Sequence, residues 1–214
     1  MRVLITAGPT REPLDPVRFL SNASSGQQGV ALAEEAVSRD WNVDFVHGPL
    51  EVPLPNGVTL HPVTTAEEML ACCQRLHPQC DAVIGAAAVA DYRPRQVLDK
   101  KQKREAEPWT LDLVPTTDIL RKLGESKGTR VHAGFALETD DLLERGRAKA
   151  TRKNLDWLVG NGPEALGQRT ADYLLIAADG SATDLGRLTK RDLARHLCDA
   201  IAQTSNRSRH RDSR

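Results

Sequence analysis

The fold this chain predicts is α/β, with a Rossmann-like, doubly wound and mostly parallel sheet flanked by helices. Three observations carry that expectation. Short runs rich in β-branched and other apolar residues alternate with segments of helical periodicity. The length of 214 residues with 40% hydrophobic residues supplies one substantial core and is short for two. No run of eighteen apolar residues occurs, so a membrane-spanning helix is not expected.

Taken in order, the predicted strands lie near 2–6, 43–47, 58–63, 82–88, 109–114, 131–136, 155–159 and 172–177. A helix from about Gly26 to Arg39 places Val30, Ala33 and Val37 on one face and Glu34 and Glu35 on the other. Further helices are expected over about 66–76, 118–126 and 140–153. A last helix, 190–202, carries a stripe of Leu193, Leu197, Ala200 and Ile201, with Thr189 and Asp192 resembling a capping box. Residues 1–203 read as a single domain. Within it, Ala7 to Ser25, with prolines at 9, 13 and 16, reads as a long functional loop. A flexible basic strap is expected at about 93–108, and an Arg/Ser-rich disordered tail at 204–214.

The charge balance is even, with 29 Lys and Arg against 29 Asp and Glu, which argues against a uniformly basic nucleic-acid coat. An aromatic content of 4% argues against a base-stacking platform. A nucleic-acid partner is therefore not expected. The N-terminus lacks the zones of a signal peptide, which predicts a cytoplasmic protein without membrane association. Cys72, Cys73, Cys80 and Cys198 lack zinc or redox spacing and read as reduced and structural, and the six histidines show no metal spacing. No metal-ligating residues are predicted. No Gly-x-Ser-x-Gly elbow and no cysteine in a catalytic setting appear, which leaves electrostatic activation without a protein nucleophile.

Three segments suggest anion chemistry. Ser21-Asn22-Ala23-Ser24-Ser25-Gly26 opens the first helix, where unpaired N–H groups and a partial positive charge favour an anion, although an ordinary N-cap reads the same way. Gly85 to Arg93 lies at a strand's carboxyl end, where open α/β sheets bind ligands; its alanines let a flat group lie against the backbone. Just beyond, Arg93, Arg95, Lys100, Lys101, Lys103 and Arg104 face only Asp99, a local charge of +5 that serves either as a solvated loop or as a strap over a phosphate chain. Arg145, Arg147, Lys149, Arg152 and Lys153 add a second basic cluster, with Lys149 and Lys153 on one helix face. Together they read as a site for a polyphosphate nucleotide and a second anionic substrate.

The segments Thr6 to Arg18, Ser21 to Gly26, Ala87 to Arg93, Lys101 to Arg104, Gly134 to Thr139 and Lys153 to Asp156 resemble phosphopantothenoylcysteine synthetases, the phosphopantothenate–cysteine ligases of coenzyme A biosynthesis. The resemblance runs in order from about residue 2 to 203. It implies a ligase of the bacterial type, a homodimer, that couples 4′-phosphopantothenate to L-cysteine through an acyl-cytidylate, converting CTP to CMP and pyrophosphate with Mg2+ accompanying the nucleotide. The family's flavin-binding decarboxylase half is not matched, so the resemblance implies a stand-alone synthetase, no flavin, and decarboxylation by another chain. It implies catalytic roles for Asn22, Lys101 and Lys103, and substrate contacts from Arg18, Ser24, Ser25, Gly26 and Ala88. Nucleotide contacts would come from Gly85, Ala86, Ala87, Asp91, Lys101, Thr117, Asp118, Ile119, Leu120, Phe135, Lys149 and Lys153. Arg104 stands where these proteins tend to have lysine, and Gln27-Gln28 where Lys-Met is common. CTP is the expected nucleotide, with ATP use left open. An NAD(P)-linked oxidoreductase on a similar sheet would need the glycine fingerprint that is missing after the first strand. A nucleic-acid-binding module would rely on the strap and tail.

Overall fold

The computed structural model describes residues 1–104, 107–137, 141–162 and 168–212, with side chains described as far as 207. In chain order the elements begin with β1 (Arg2–Ala7), β2 (Arg11–Asp15), β3 (Arg18–Ser21), α1 (Gln27–Ser38), β4 (Asn42–His47) and β5 (Thr59–Pro62). There follow α2 (Ala66–Leu76), β6 (Ala82–Gly85), β7 (Tyr92–Pro94), β8 (Leu113–Pro115), α3 (Ile119–Gly124) and β9 (Val131–Leu137). The chain finishes through α4 (Leu142–Lys153), β10 (Trp157–Asn161), β11 (Thr170–Ala177), β12 (Ala182–Thr189) and α5 (Lys190–Asp212).

The central sheet has eight strands in the order β12-β11-β10-β9-β6-β1-β4-β5. From β5 to β10 neighbours run parallel, and β11 and β12 are added antiparallel. A parallel sheet is covered on both faces, and its strands are accordingly apolar on both sides. Along β1, Val3, Ile5 and Ala7 enter one core and Leu4 the other; along β6, Ala82 and Ile84 face the first and Val83 the second. The first face is closed by Leu32, Ala33 and Ala36 of α1 and by Leu193, Leu197 and Ile201 of α5. The second is closed by Met69, Cys73 and Leu76 of α2 and Ile119 and Leu123 of α3, continued by Ala150 of α4 with Leu158 and Ile176. Gly29 lets α1 lie against β1: a Cβ there would stand 2.3 Å from that of Ala7.

From β1 the chain winds outward through β4 and β5 on one side and through β6, β9 and β10 on the other. The order therefore reverses between β1 and β6. The crevice at their carboxyl ends is where this topology places a ligand.

The sequence expectations differ from the structure in four elements. The long loop before α1 contains the β2–β3 hairpin, which pairs Arg11 with Ser21 and Pro13 with Phe19. The strand expected at 109–114 is instead Leu113–Pro115, outside the main sheet and antiparallel to β7. The strand expected at 82–88 stops at Gly85: the Ala86 N–H still donates to the Thr6 carbonyl of β1, but from Ala87 on the backbone bonds to side chains and to the loop after β1. The edge strand β12 was not expected, its sequence Ala-Thr-Asp-Leu-Gly-Arg-Leu-Thr being largely exposed.

The helices fall close to expectation, with α2 matching residue for residue. In α1 the buried face is led by Leu32, Ala33 and Ala36, with Val30 and Val37 at its margin. At the start of α5 the Thr189 hydroxyl accepts from the Asp192 N–H at 3.1 Å and donates to the Asp192 carboxylate at 2.6 Å. That helix runs ten residues beyond its expected end at 202, into the segment read from sequence as the tail. No proline or glycine interrupts it. Trp157 Nε1 donates to Thr204 Oγ1 at 3.0 Å and Ser205 is buried, which holds the added turn. No helix among the described residues is long and apolar enough to cross a membrane.

Candidate functional site

At the carboxyl ends of β1, β6 and β9 lies a cavity of 340 Å³. Its wall is the stretch Ala87 to Asp91 after β6, which belongs to no strand and whose backbone groups are therefore collected by other parts of the chain. Ala87 N–H donates to Thr6 Oγ1 at 3.2 Å, Ala88 N–H to the Gly8 carbonyl at 2.9 Å, and Ala90 N–H to Thr10 Oγ1 at 3.0 Å. Thr116 Oγ1 donates to the Ala90 carbonyl at 2.5 Å, and its N–H to the Asp91 carbonyl at 2.9 Å. Asn22 Nδ2 donates to the carbonyls of Ala88 and Val89 at 3.3 and 3.0 Å. Because both partners are carbonyl oxygens, the network fixes which amide atom is nitrogen and leaves Oδ1 as the outward acceptor.

The opposite wall comes from α3 and α4. Asp118 caps α3, its Oδ1 accepting from the Arg121 N–H at 3.2 Å, while its other oxygen pairs with Lys153 Nζ at 3.0 Å. Lys149, one turn before Lys153 on α4, lines the same space. Leu120 closes over Gly85 and Gly134, where a Cβ would stand 2.5 Å and 2.9 Å from its Cδ1. The result is an apolar floor of Gly85, Ala87, Leu120 and Phe135 with two lysines on one rim and Asn22 and Asp91 on the other. A planar group fits the floor, and the lysines supply positive charge for an anion.

Of the residues singled out in the sequence, Asn22, Gly85, Ala87, Ala88, Asp91, Thr117, Asp118, Ile119, Leu120, Phe135, Lys149 and Lys153 line this one cavity. Ala86, just past β6, is not among them: its N–H donates to the Thr6 carbonyl of β1 at 3.2 Å and it packs against the core under α1 and α5. Ser24, Ser25 and Gly26 stand at the start of α1, outside the cavity lining. There Gly26, at φ 79°, is the N-cap residue, and no side chain caps the helix. Lys101 and Lys103 are exposed on the strap beside a separate concavity formed by residues 98–103. Arg18 is also away from the cavity; it is engaged by Asp15, Gln102 and Trp109. Glu138 and Thr139 of the resemblance, residues 105 and 106 of the strap and residues 213 and 214 of the tail lie outside the described residues.

Sequence reasoning passed over Thr6, Thr10 and Thr116, which hold the wall, and Glu12, which ties the hairpin to α2 through the Ala66 N–H at 2.8 Å. The family segment Thr6 to Arg18 contained the first two and Glu12 without assigning them a task.

The buried histidines and cysteines outside the cavity read as structural. His77 and His132 are buried with their Nε2 atoms 3.0 Å apart, and burial lowers both; His132 is pushed down to about 3. Burial also raises the thiols of Cys73, Cys80 and Cys198. The four cysteines are free, as the sequence suggested. Among the described residues no three His, Cys, Asp or Glu side chains are grouped as a metal site.

The fold and site define a doubly wound α/β protein with a nucleotide-sized crevice at its topological switch point. Residues 1–204 match the family described as DNA/pantothenate metabolism flavoprotein C-terminal domain, and the chain belongs to that family. It is 39% identical over 214 residues to the coenzyme A biosynthesis bifunctional protein CoaBC of Bacillus subtilis, covering 98% of this chain and 53% of that protein. To CoaBC of Escherichia coli K12 it is 44% identical over 165 residues, which is 75% of this chain and 41% of that one. The chain thus spans about half the length of the curated relatives it matches. A crystal structure of the C-terminal domain of CoaBC superposes with a TM-score of 0.81 at 38% identity, covering 94% of this chain and 93% of the other.

Proposed function

We propose that the chain is a phosphopantothenate–cysteine ligase that uses CTP. The observation that carries this reading is the single cavity into which the wall after β6, Asn22 of the loop before α1, Asp118 and the α4 lysines converge. The similarity to the C-terminal domain of the coenzyme A biosynthesis bifunctional protein CoaBC supports the same reading.

In this reading the cytosine and ribose occupy the floor between Leu120 and Phe135, and Lys149 and Lys153 hold the anionic end of the nucleotide. The pantothenate carboxylate attacks the α-phosphorus; the bond from that phosphorus to the bridging oxygen breaks, and pyrophosphate leaves. The cysteine amine then attacks the acyl carbon of the mixed anhydride, CMP departs with the oxygen it received, and the amine's surplus proton is released. No protein nucleophile is needed, because CMP is a good leaving group where the free carboxylate is not. Asn22, its nitrogen held by two carbonyls, presents Oδ1 beside the acyl group as an acceptor for the N–H of the arriving amine. Lys101 and Lys103 reach the triphosphate from the strap, where they offset the charge that develops as pyrophosphate leaves. Arg18, Ser24, Ser25, Gly26 and Ala88 serve the pantothenate end.

Magnesium fits as a nucleotide-borne ion, since it keeps water and phosphate ligands and asks few of the protein. Asp118 is engaged by Lys153, which leaves Asp91 as the lining carboxylate that would hold it. When bound, the ion would neutralise phosphate charge.

The active form is proposed to be a homodimer. In support, Val17, Phe19, Tyr92, Leu111 and Leu113 are exposed on and beside the two small antiparallel sheets. The experiment that tests the ligase is incubation with CTP, magnesium, 4′-phosphopantothenate and cysteine. Pyrophosphate, CMP and 4′-phosphopantothenoylcysteine should appear in equal amounts, and no turnover with CTP or ATP would overturn the reading.

A further inference from the structure

The Asp15 carboxylate has no place in the cavity, yet its side chain is fully buried and accepts from five donors. Oδ1 receives the N–H groups of Val17 and Arg18 at 2.9 and 3.0 Å, which closes the turn between β2 and β3. Oδ2 receives Nε of Arg18 at 2.9 Å, Nη2 of Arg18, and the Gln102 N–H at 3.2 Å. Arg18 Nη2 in turn donates to the Gln102 carbonyl at 2.8 Å. Both backbone polar groups of one strap residue are therefore held by one ion pair whose carboxylate is buried. Two further contacts bracket it. The Leu98 N–H donates to the Leu14 carbonyl at 3.0 Å, and the Arg18 guanidinium lies 4.8 Å from the Trp109 ring centre.

Gln102 stands between Lys101 and Lys103. The strap is otherwise poor in anchors: residues 99–101 and 103–104 are exposed and belong to no strand or helix. A side chain on a chain segment without secondary structure is held only as firmly as its backbone, and charge-assisted bonds are the strong ones. We propose that Asp15 is the positioning residue of the strap: with Arg18 it clasps the backbone of Gln102 and so fixes where Lys101 and Lys103 stand relative to the hairpin. Asp15 touches no substrate, and it works only as a carboxylate. The hydrogen bond from Arg18, with those from the backbone, holds it well below the usual range, at about 2, so it is ionised whenever the protein is folded near neutrality.

The consequence for catalysis rests on the ligase reading above, whereas the clasp itself does not. Asp15→Asn keeps the shape but turns either a neutral oxygen or an NH2 group toward Arg18 and the Gln102 N–H. Gln102→Pro removes the same N–H from the strap side and leaves the hairpin's own bonds intact. Trypsin cleavage after Lys103 and Arg104, timed under native conditions, reads the strap directly; the bond after Lys101 is not used, because Gln102→Pro makes it a Lys–Pro bond that trypsin does not cut. In both variants it should accelerate about tenfold, the change expected from losing one charge-assisted hydrogen bond. Cleavage at the wild-type rate in a folded Asp15→Asn protein, or in Gln102→Pro if the first does not fold, overturns the clasp. With CTP turnover established, Asp15→Asn should raise KM for the nucleotide and slow pyrophosphate release while leaving KM for cysteine unchanged. An equal rise in both KM values would mean a merely structural role and would overturn the positioning claim. Absence of turnover in the wild-type protein would strike the ligase reading and leave the proteolysis result standing.

Discussion

Replacing Asn22 by aspartate exchanges two donors for two lone pairs. The amide nitrogen now donates to the carbonyls of Ala88 and Val89 at 3.3 and 3.0 Å, and a carboxylate oxygen in its place would face both of them as a like partial charge. Each neutral bond is worth about 1 kcal/mol net, so its loss at both carbonyls removes about 2 kcal/mol of wall positioning. At 1.4 kcal/mol per decade that is about a thirtyfold effect on a step that needs the wall and Asn22 in register. The step affected is amide formation, where Oδ1, beside the acyl group, accepts from the amine. Formation of the acyl-cytidylate, which depends on the lysines across the cavity, should be far less affected. In a rapid-quench single turnover, Asn22→Asp should release pyrophosphate near the wild-type rate and accumulate the acyl-cytidylate, with CMP appearing about thirtyfold more slowly. Pyrophosphate and CMP slowed together by the same factor would refute the assignment of Asn22 to the second step.

Three other perturbations address different levels of the structure. Lys153→Gln removes the partner of Asp118 and one of two cavity lysines, and should weaken CTP binding about tenfold in calorimetry; unchanged affinity would take α4 out of the site. Gly29→Ala should lower the melting temperature by several degrees, because its Cβ would stand 2.3 Å from that of Ala7 and overpacking costs about 1–3 kcal/mol. A wild-type melting temperature would mean that α1 does not lie as close to β1 as described. Burial keeps His77 and His132 neutral in the fold, with His132 lowered to about 3, whereas the unfolded chain protonates them near 6.5. The unfolded state therefore binds more protons below 6.5, and stability falls as pH falls from there toward 3. Between pH 7 and 5 the loss assignable to His132 is of order 2 kcal/mol. The urea midpoint should drop over that range, and it should drop less in His132→Leu. Equal drops would acquit the buried pair. Asp15 acts in a lower window: its contribution is present above about pH 3.8 and is lost as pH falls toward 2.

Much of the sheet was legible because a strand buried on both faces has little choice of residue. Val3-Leu4-Ile5 and Ala82-Val83-Ile84 are apolar at every position, and the α5 stripe of Leu193, Leu197, Ala200 and Ile201 is buried throughout. The helix over 66–76 carries the clearest local signals, including a complete capping box between Thr65 and Glu68 that sequence reasoning did not single out. The hairpin was hidden because Arg-Glu-Pro-Leu-Asp and Arg-Phe-Leu-Ser look like loop. What makes them strands is partly tertiary, Glu12 on the α2 N-terminus, and partly a local turn that Asp15 closes onto the Val17 and Arg18 N–H groups and that the sequence reading did not single out. The run at 109–114 misled in the opposite sense, since its apolar residues are spent on exposed positions such as Trp109, Leu111 and Leu113 rather than on a central strand.

The cavity lining followed from the rule that ligands gather at strand ends together with the family resemblance. The threonines that brace it escaped, because a hydroxyl bound to a distant backbone N–H or carbonyl leaves no periodicity behind. Arg18 is the instructive case: the resemblance gives it to the substrate, and the structure adds two contacts that sequence alone did not suggest, to Asp15 and to Gln102 of the strap.

The central claim is that the carboxylate is activated on the α-phosphorus of the nucleotide. It is tested most directly with 4′-phosphopantothenate carrying 18O in both carboxylate oxygens, turned over with CTP, magnesium and cysteine. The account predicts one labelled oxygen in CMP, the other in the amide carbonyl of the product, and none in pyrophosphate. CMP without label, or orthophosphate and CDP in place of pyrophosphate and CMP with the label in orthophosphate, would contradict it.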